Sequence, residues 1–257
     1  MRQVPLAIDH AGQILRGTLY LPESQGEPSQ TFPAVLLLHG FTGNRIETGF
    51  LFVQLGRALA AQGIAAVTFD FLHSGESDGS FDQMLVTGEI EDALRVSDWL
   101  KQQPFCDPSR MGLMGFSLGG LVAACVVGRV NDYQALTLLA PTTVANVQRF
   151  AKDMEQDGRI IKGPFTLHRD FFRDVETLDP LHECVKNPRP TLVVRGGRDE
   201  VVPFFVSRTF IKAMQNHDVP VEVETIDDAS HLYDTPQTRK RLIDTVADFF
   251  KSRLGRV

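Results

Sequence analysis

Cysteine is scarce in this 257-residue chain: Cys106, Cys125 and Cys184 are all there is, and no two form a CxxC pair. An odd, widely spaced set offers no disulfide framework, so a reducing, cytoplasmic setting is the expectation. HExxH spacing is missing as well, which removes the common zinc patterns and leaves no cofactor to expect. Long apolar runs are lacking. The longest, Leu121 to Val127, has seven residues, far short of the roughly 20 that cross a bilayer. The opening Met-Arg-Gln-Val-Pro-Leu-Ala-Ile-Asp-His holds no apolar signal-peptide core, so no membrane insertion is expected. Charge of neither sign is concentrated: the net charge is −6 and the 26 basic residues are scattered, which gives nucleic acid and anionic membranes nothing to respond to at a distance.

What is present is ordinary for a soluble globular protein, with 43% hydrophobic and 23% charged residues. The length suits one large α/β domain or two small ones, with ample core for either. Arg2 to Asp9 and Ile14 to Leu21 read as a hairpin turning at His10-Ala11-Gly12. Pro22 to Pro33 reads as a solvated loop, and Ala34 to Leu38 as a strand covered on both faces. Helical patterns over Phe50 to Gln62, Glu89 to Lys101, Gly119 to Arg129, Pro203 to Asn216 and Thr238 to Leu254 alternate with strands. Those strands are Ile64 to Phe69, Arg110 to Phe116, Ala135 to Ala140, Thr191 to Arg195 and Val221 to Ile226. Alternation of this kind implies a mostly parallel sheet, here of eight strands, with helices on both faces. Pro141 to Pro190 breaks the rhythm with about fifty residues and no clear strand, and reads as a small, partly helical cap inserted into one domain spanning 1–257.

The strongest local signal is Gly115-Phe116-Ser117-Leu118-Gly119-Gly120, a G-x-S-x-G motif between a strand and a helix. In that setting the turn crowds Ser117 into a strained conformation and projects its hydroxyl from the carboxyl edge of the sheet. The plainer alternative is a Gly-rich helix start capped by Ser117. A serine hydroxyl needs a positioned base, and His231, in Asp228-Ala229-Ser230-His231-Leu232, follows a strand at the right place. Asp199, in Gly196-Gly197-Arg198-Asp199-Glu200, is the expected orienting acid, with Glu200, Asp227 and Asp228 as competitors. Ser117, Asp199, His231 is the chain order in which α/β-hydrolases present their triad. His39-Gly40-Phe41-Thr42-Gly43 follows the apolar strand, so the N–H groups of Phe41 and Leu118 are the expected oxyanion donors, with His39 bracing the loop.

These motifs resemble the α/β-hydrolase serine esterases, and among them the bacterial cinnamoyl or feruloyl esterases. The closer likeness rests on His39-Gly-Phe-Thr-Gly-Asn-Arg45, Phe69-Asp70-Phe71 with Gly75-Glu-Ser-Asp-Gly79, and Glu89-Ile-Glu-Asp-Ala93. Two departures stand out. Leu72-His73-Ser74-Gly75 replaces the family's Gly-His-Gly, and Phe116 and Leu118 flank the serine where a histidine and a glutamine are common. The resemblance implies an ester hydrolase whose cap forms the acyl pocket.

The expected partner is therefore a small ester with an apolar or aromatic acyl group, a cinnamoyl or feruloyl ester being one form. Phe41, Phe116, Leu118, Phe165, Phe171, Val202 and Leu232 are the candidate contacts, though most of the 18 phenylalanines are expected to be core. A homodimer is compatible with the sequence. Rival readings are a serine peptidase or amidase, which shares every catalytic residue, an acyl thioesterase, and a hydrolase-like binding module without activity.

Overall fold

A computed structural model describes residues 1–23, 30–155 and 157–255. Half of the loop read over Pro22 to Pro33, 24–29, lies outside the described residues, and its last two residues, Phe32 and Pro33, instead open a strand. The chain opens with β1 (Arg2–His10) and β2 (Gln13–Leu21), an antiparallel hairpin. There follow β3 (Phe32–Leu38), α1 (Leu51–Ala61), β4 (Ala65–Phe69), α2 (Val86–Lys101), β5 (Cys106–Phe116), α3 (Leu118–Arg129) and β6 (Tyr133–Leu139). The sheet orders its eight strands β1-β2-β4-β3-β5-β6-β9-β10, where β9 is Thr191–Gly196 and β10 is Val221–Ile226. Only β1–β2 and β2–β4 pair antiparallel; the other pairs run parallel. This is the α/β-hydrolase fold that the strand–helix alternation predicts.

The pattern of β3 shows why the sheet sits in the middle. All seven of its residues are buried, with Ala34, Leu36 and Leu38 in the core on one face and Val35 and Leu37 in the core on the other. Each fully buried side chain of this size contributes about 1.5–3 kcal/mol, so a strand apolar on both sides is stable only between two helical layers. The first face is covered by α2, α3 and α7 (Phe204–Asn216), and the second by α1 and α8 (Pro236–Leu254). Helix α3 is buried almost all round, which fits its unbroken run of small and branched apolar residues.

Between β6 and β9 the chain builds α4 (Val144–Gln148), a hairpin of β7 (Arg159–Lys162) and β8 (Phe165–His168), α5 (Arg169–Glu176) and α6 (Pro180–Lys186). The hairpin is absent from the reading of this segment as strandless. Its four-residue strands are too short, and too polar at their ends, to leave a periodic signature. Strand β5 begins at Cys106 rather than Arg110, because Cys106 pairs with Phe32 ahead of a register shift.

The three thiols are free and buried. Burial pushes Cys106 up to about 11, and Cys125 and Cys184 up to about 12. No helix among the described residues is long and apolar enough to cross a membrane.

Candidate active site

Ser117 stands alone between β5 and α3, with φ 55° and ψ −114°. A residue with a Cβ is costly there, by about 1–3 kcal/mol, and two glycines make the turn possible. A Cβ on Gly115 would lie 2.0 Å from the carbonyl oxygen of Gly119, and one on Gly119 would lie 2.3 Å from that of Leu38. Strand and helix therefore touch backbone to backbone. The main chain of Ser117 is fixed as well: its N–H donates to Leu139 O at 2.9 Å, and its carbonyl accepts from Gly120 and Thr142 at 3.0 and 3.1 Å. Its hydroxyl makes no cap bond to α3, which disposes of the helix-cap alternative.

That hydroxyl meets an imidazole instead. His231 Nε2 lies 3.1 Å from Ser117 Oγ, and Nδ1 lies 2.7 Å from Asp199 Oδ2. A carboxylate can only accept, so Nδ1 carries the proton and Nε2 keeps its lone pair for the serine. Asp199 is fixed in turn, its Oδ1 accepting the N–H groups of Val201 at 3.0 Å and Val202 at 2.8 Å. Its side chain is 1% exposed, so solvent does not compete for the carboxylate. The Phe116 ring stacks behind the imidazole, with 5.0 Å between centroids. The three side chains read from the sequence thus come together from the ends of β5, β9 and β10. Asp228 instead pairs with Arg198 at the exposed surface.

The loop after β3 lies against this group: a Cβ on Gly40 would sit 3.2 Å from Ser117 Cβ. The Gly40 N–H is occupied, donating to Glu47 Oε1 at 2.7 Å. The N–H groups of Phe41 and Leu118 have no hydrogen-bond partner among the described residues, and that of Leu118 is one of the unpaired donors that open α3. His39 faces away. Its Nδ1 donates to Gly40 O at 2.9 Å and its Nε2 accepts the Phe71 N–H at 3.2 Å. Both nitrogens are therefore spent on the main chain, and burial pulls its pKa down.

The candidate contact residues divide by exposure. Leu232 is exposed, Phe41 and Phe165 are half-buried, and Phe116, Leu118, Phe171 and Val202 are buried. Strand alternation sends Phe116 into the core below the sheet, and the first turn of α3 sends Leu118 into the core above it. Val202 donates its N–H to Asp199 Oδ1. From Phe41 a path of rings runs outward, to Phe171 at 5.8 Å and to Phe81 at 5.7 Å, then from Phe81 to Phe165 at 4.4 Å. Phe81 and Phe165 also line a cavity of about 410 Å³ with Ser80, Arg159 and His168.

Sequence reading gave no role in the site to two groups of charged residues. Glu47 holds the Gly40 N–H, and Arg239 bridges loops, as described below. On α2, burial and the carboxylates of Asp92 and Asp174 push Glu89 well above the usual range. Asp92, raised to about 7 by burial, accepts the Leu72 N–H at 2.8 Å. Glu89 and Asp92 are visible in the sequence as the carboxylate-rich start of a helix, yet nothing there marks them as buried.

A sequence model of the prolyl oligopeptidase family matches residues 57–257. YuxL of Bacillus subtilis, an uncharacterized peptidase, is 25% identical over 98% of this chain and 39% of its own length. The lysophosphatidylserine lipase ABHD12 of Xenopus tropicalis is 30% identical over 70% of this chain and 46% of its own. The chain spans less than two thirds of the length of the first curated relatives it matches. Among solved structures, Est1E of Butyrivibrio proteoclasticus with ferulic acid bound is similar at a TM-score of 0.83 and 24% identity, covering 98% of this chain and 100% of that one. A puromycin-hydrolyzing peptidase of Mycobacterium tuberculosis gives 0.79 at 21% identity, covering 100% of this chain and 40% of that one. Likeness at these identities speaks for the fold.

Proposed function

This chain belongs to the prolyl oligopeptidase family, and from that premise we propose that it is a serine hydrolase cleaving carboxylic esters through a Ser117 acyl-enzyme. One observation carries the reading: an unbroken relay from Ser117 Oγ through both nitrogens of His231 to Asp199, at 3.1 and 2.7 Å, behind a serine on a strained turn. His231 takes the hydroxyl proton as Ser117 Oγ attacks the ester carbonyl, and returns it to the departing alcohol. Water, losing a proton to the same nitrogen, then attacks the acyl carbon; the proton returns to Ser117 as the acid leaves. Asp199 holds the tautomer and balances the imidazolium charge. The N–H groups of Phe41 and Leu118 are the donors assigned to the oxyanion, where each such donor is worth roughly a hundred- to a thousandfold in turnover.

The acyl side of the site is read from its apolar surroundings. Phe41 leads through Phe81 and Phe165 toward the segment between β6 and β9, which we assign as a cap over the mouth. Rings in that arrangement suit an aromatic or medium-length acyl group, cinnamoyl esters among them. The buried reduced thiols are in keeping with a cytoplasmic setting.

Family membership favours a second reading, in which the same constellation cleaves amides. A fluorophosphonate probe together with paired substrates tests both. The expected result is labelling of the wild type, none of Ser117→Ala, and faster turnover of 4-nitrophenyl esters and methyl ferulate than of aminoacyl amides. An unlabelled wild type supports the inactive binding module, preference for the amides establishes the peptidase reading, and a steep preference for acetate removes the aromatic pocket.

A further inference from the structure

The acyl-transfer reading leaves two buried cations unused, Arg189 and Arg239, and of these Arg239 lies beside the site. Arg239, early in α8, is 9% exposed, and no carboxylate among the described residues forms an ion pair with it. Its guanidinium donates to four main-chain carbonyls instead. Nε reaches Tyr233 O at 2.8 Å and Nη2 reaches Leu232 O at 2.9 Å, the two residues that follow His231. Nη1 reaches Thr48 O at 3.2 Å and Gly49 O at 3.0 Å, directly after Glu47. Glu47 in turn holds the Gly40 N–H, next to the Phe41 N–H assigned to the oxyanion.

The loops it joins are not relaxed. Glu47 and Phe50 on one side, and Tyr233 on the other, have φ of 59°, 61° and 48°, the left-handed region that residues with a Cβ avoid. Such conformations persist only where surrounding contacts over-determine them. Gly49, at φ 63°, has no side chain, and a Cβ there would come 3.1 Å from Arg239 Nη2. The space is shaped to the guanidinium. A buried cation is costly unless its donors are satisfied, and a planar fork serves two carbonyls of each loop at once, which a lysine ammonium cannot.

We propose that Arg239 is a positioning residue that locks the His231 loop to the loop carrying Phe41, so that base and oxyanion donor keep one spacing about Ser117. This rests on the acyl-transfer reading above. The chemistry explains the choice of carbonyl partners: a single carboxylate would neutralise the cation but tie down one loop only. Displacements of about 1 Å at such a site cost on the order of a hundredfold in rate.

The test compares wild type, Arg239→Met and Arg239→Lys on a soluble ester, 4-nitrophenyl butyrate, below the unfolding temperature of each variant. kcat and KM are taken per folded molecule, and the rate of fluorophosphonate labelling is followed alongside. Arg239→Met should lose 10- to 100-fold in kcat with KM changed less than threefold, and label more slowly in the same proportion. Arg239→Lys, which restores charge but not the fork, should recover part of the loss and remain 3- to 10-fold below wild type. Should Arg239→Met fail to fold, Arg239→Lys carries the decision. A folded variant with kcat within twofold of wild type overturns the proposal, as does a loss confined to KM. A wild type inert to both ester and probe overturns the hydrolase reading itself.

Discussion

His39 and His231 both lie buried at the carboxyl edge of the same sheet, one after β3 and the other after β10, at 1% and 8% exposure. Their partners separate them. His39 spends one nitrogen on Gly40 O and the other on the Phe71 N–H, with the Phe71 ring 4.7 Å from its own. His231 spends one nitrogen on a carboxylate and leaves the other to a hydroxyl. Burial alone therefore makes a brace. A buried imidazole becomes a base when a carboxylate fixes its tautomer and nothing but the nucleophile claims its lone pair.

The sharpest way to break this comparison is to remove the pair assigned to chemistry. Ser117→Ala and His231→Ala should each lose about 10⁵- to 10⁶-fold in ester turnover with the fold intact by circular dichroism. Retention of more than a few percent in either would dissolve the distinction between the two histidines. Asp199→Asn is the next step down. The amide keeps an oxygen for Val201 and Val202 but presents the wrong hydrogen-bond character to Nδ1, so kcat should fall by about 10³- to 10⁴-fold with KM little changed.

His39→Gln should behave differently. Its carbonyl oxygen can still accept the Phe71 N–H, so turnover should stay within about tenfold, and chemical denaturation should show a loss of about 1–2 kcal/mol. The pH dependence sharpens the point. Because burial lowers the folded pKa of His39, its neutral form stabilises the protein above the unfolded value, and that contribution fades as pH falls through it. The slope of stability against pH between 5 and 7 should be shallower in His39→Gln. Matching slopes would remove the brace.

Asp92 braces the neighbouring residue, accepting the Leu72 N–H, with the opposite sign. Its folded pKa, raised to about 7, means that stability is lost as pH climbs from the ordinary carboxylate range through 7. Asp92→Asn keeps an acceptor and cannot ionise, so turnover should be unchanged within twofold. Thermal and urea unfolding at pH 8 should show a gain of about 2–4 kcal/mol that vanishes near pH 4. A gain equal at both pH values would mean that ionisation has no part in it.

The legible parts of the molecule are those written in local pattern. Ala34 to Leu38 is apolar at every position and becomes the doubly covered β3. Gly115 and Gly119 bracket Ser117 because the close approach is built from neighbours in sequence. His231 and Asp199 are found because loops after parallel strands must gather at one edge. What stays hidden depends on distant contacts. Arg239 meets Gly49 across 190 positions, and nothing near either residue records the meeting. Glu47 looks like any surface acid until Gly40 folds against it. Phe116 and Leu118 flank the serine in sequence yet take opposite sides of the sheet, Phe116 against the His231 ring and Leu118 in the core with α3, since adjacency along the chain says nothing of which face a residue takes.

Sealing every thiol in the interior has a practical consequence. With Cys106, Cys125 and Cys184 held as protonated, inaccessible thiols, maleimide dyes and spin labels find nothing to attack on the native protein. A reporter thiol introduced by Ile161→Cys or Phe205→Cys, both exposed, would be the lone handle. With both introduced together, the distance from the β7–β8 hairpin to α7 could be followed in solution without first stripping the natural cysteines.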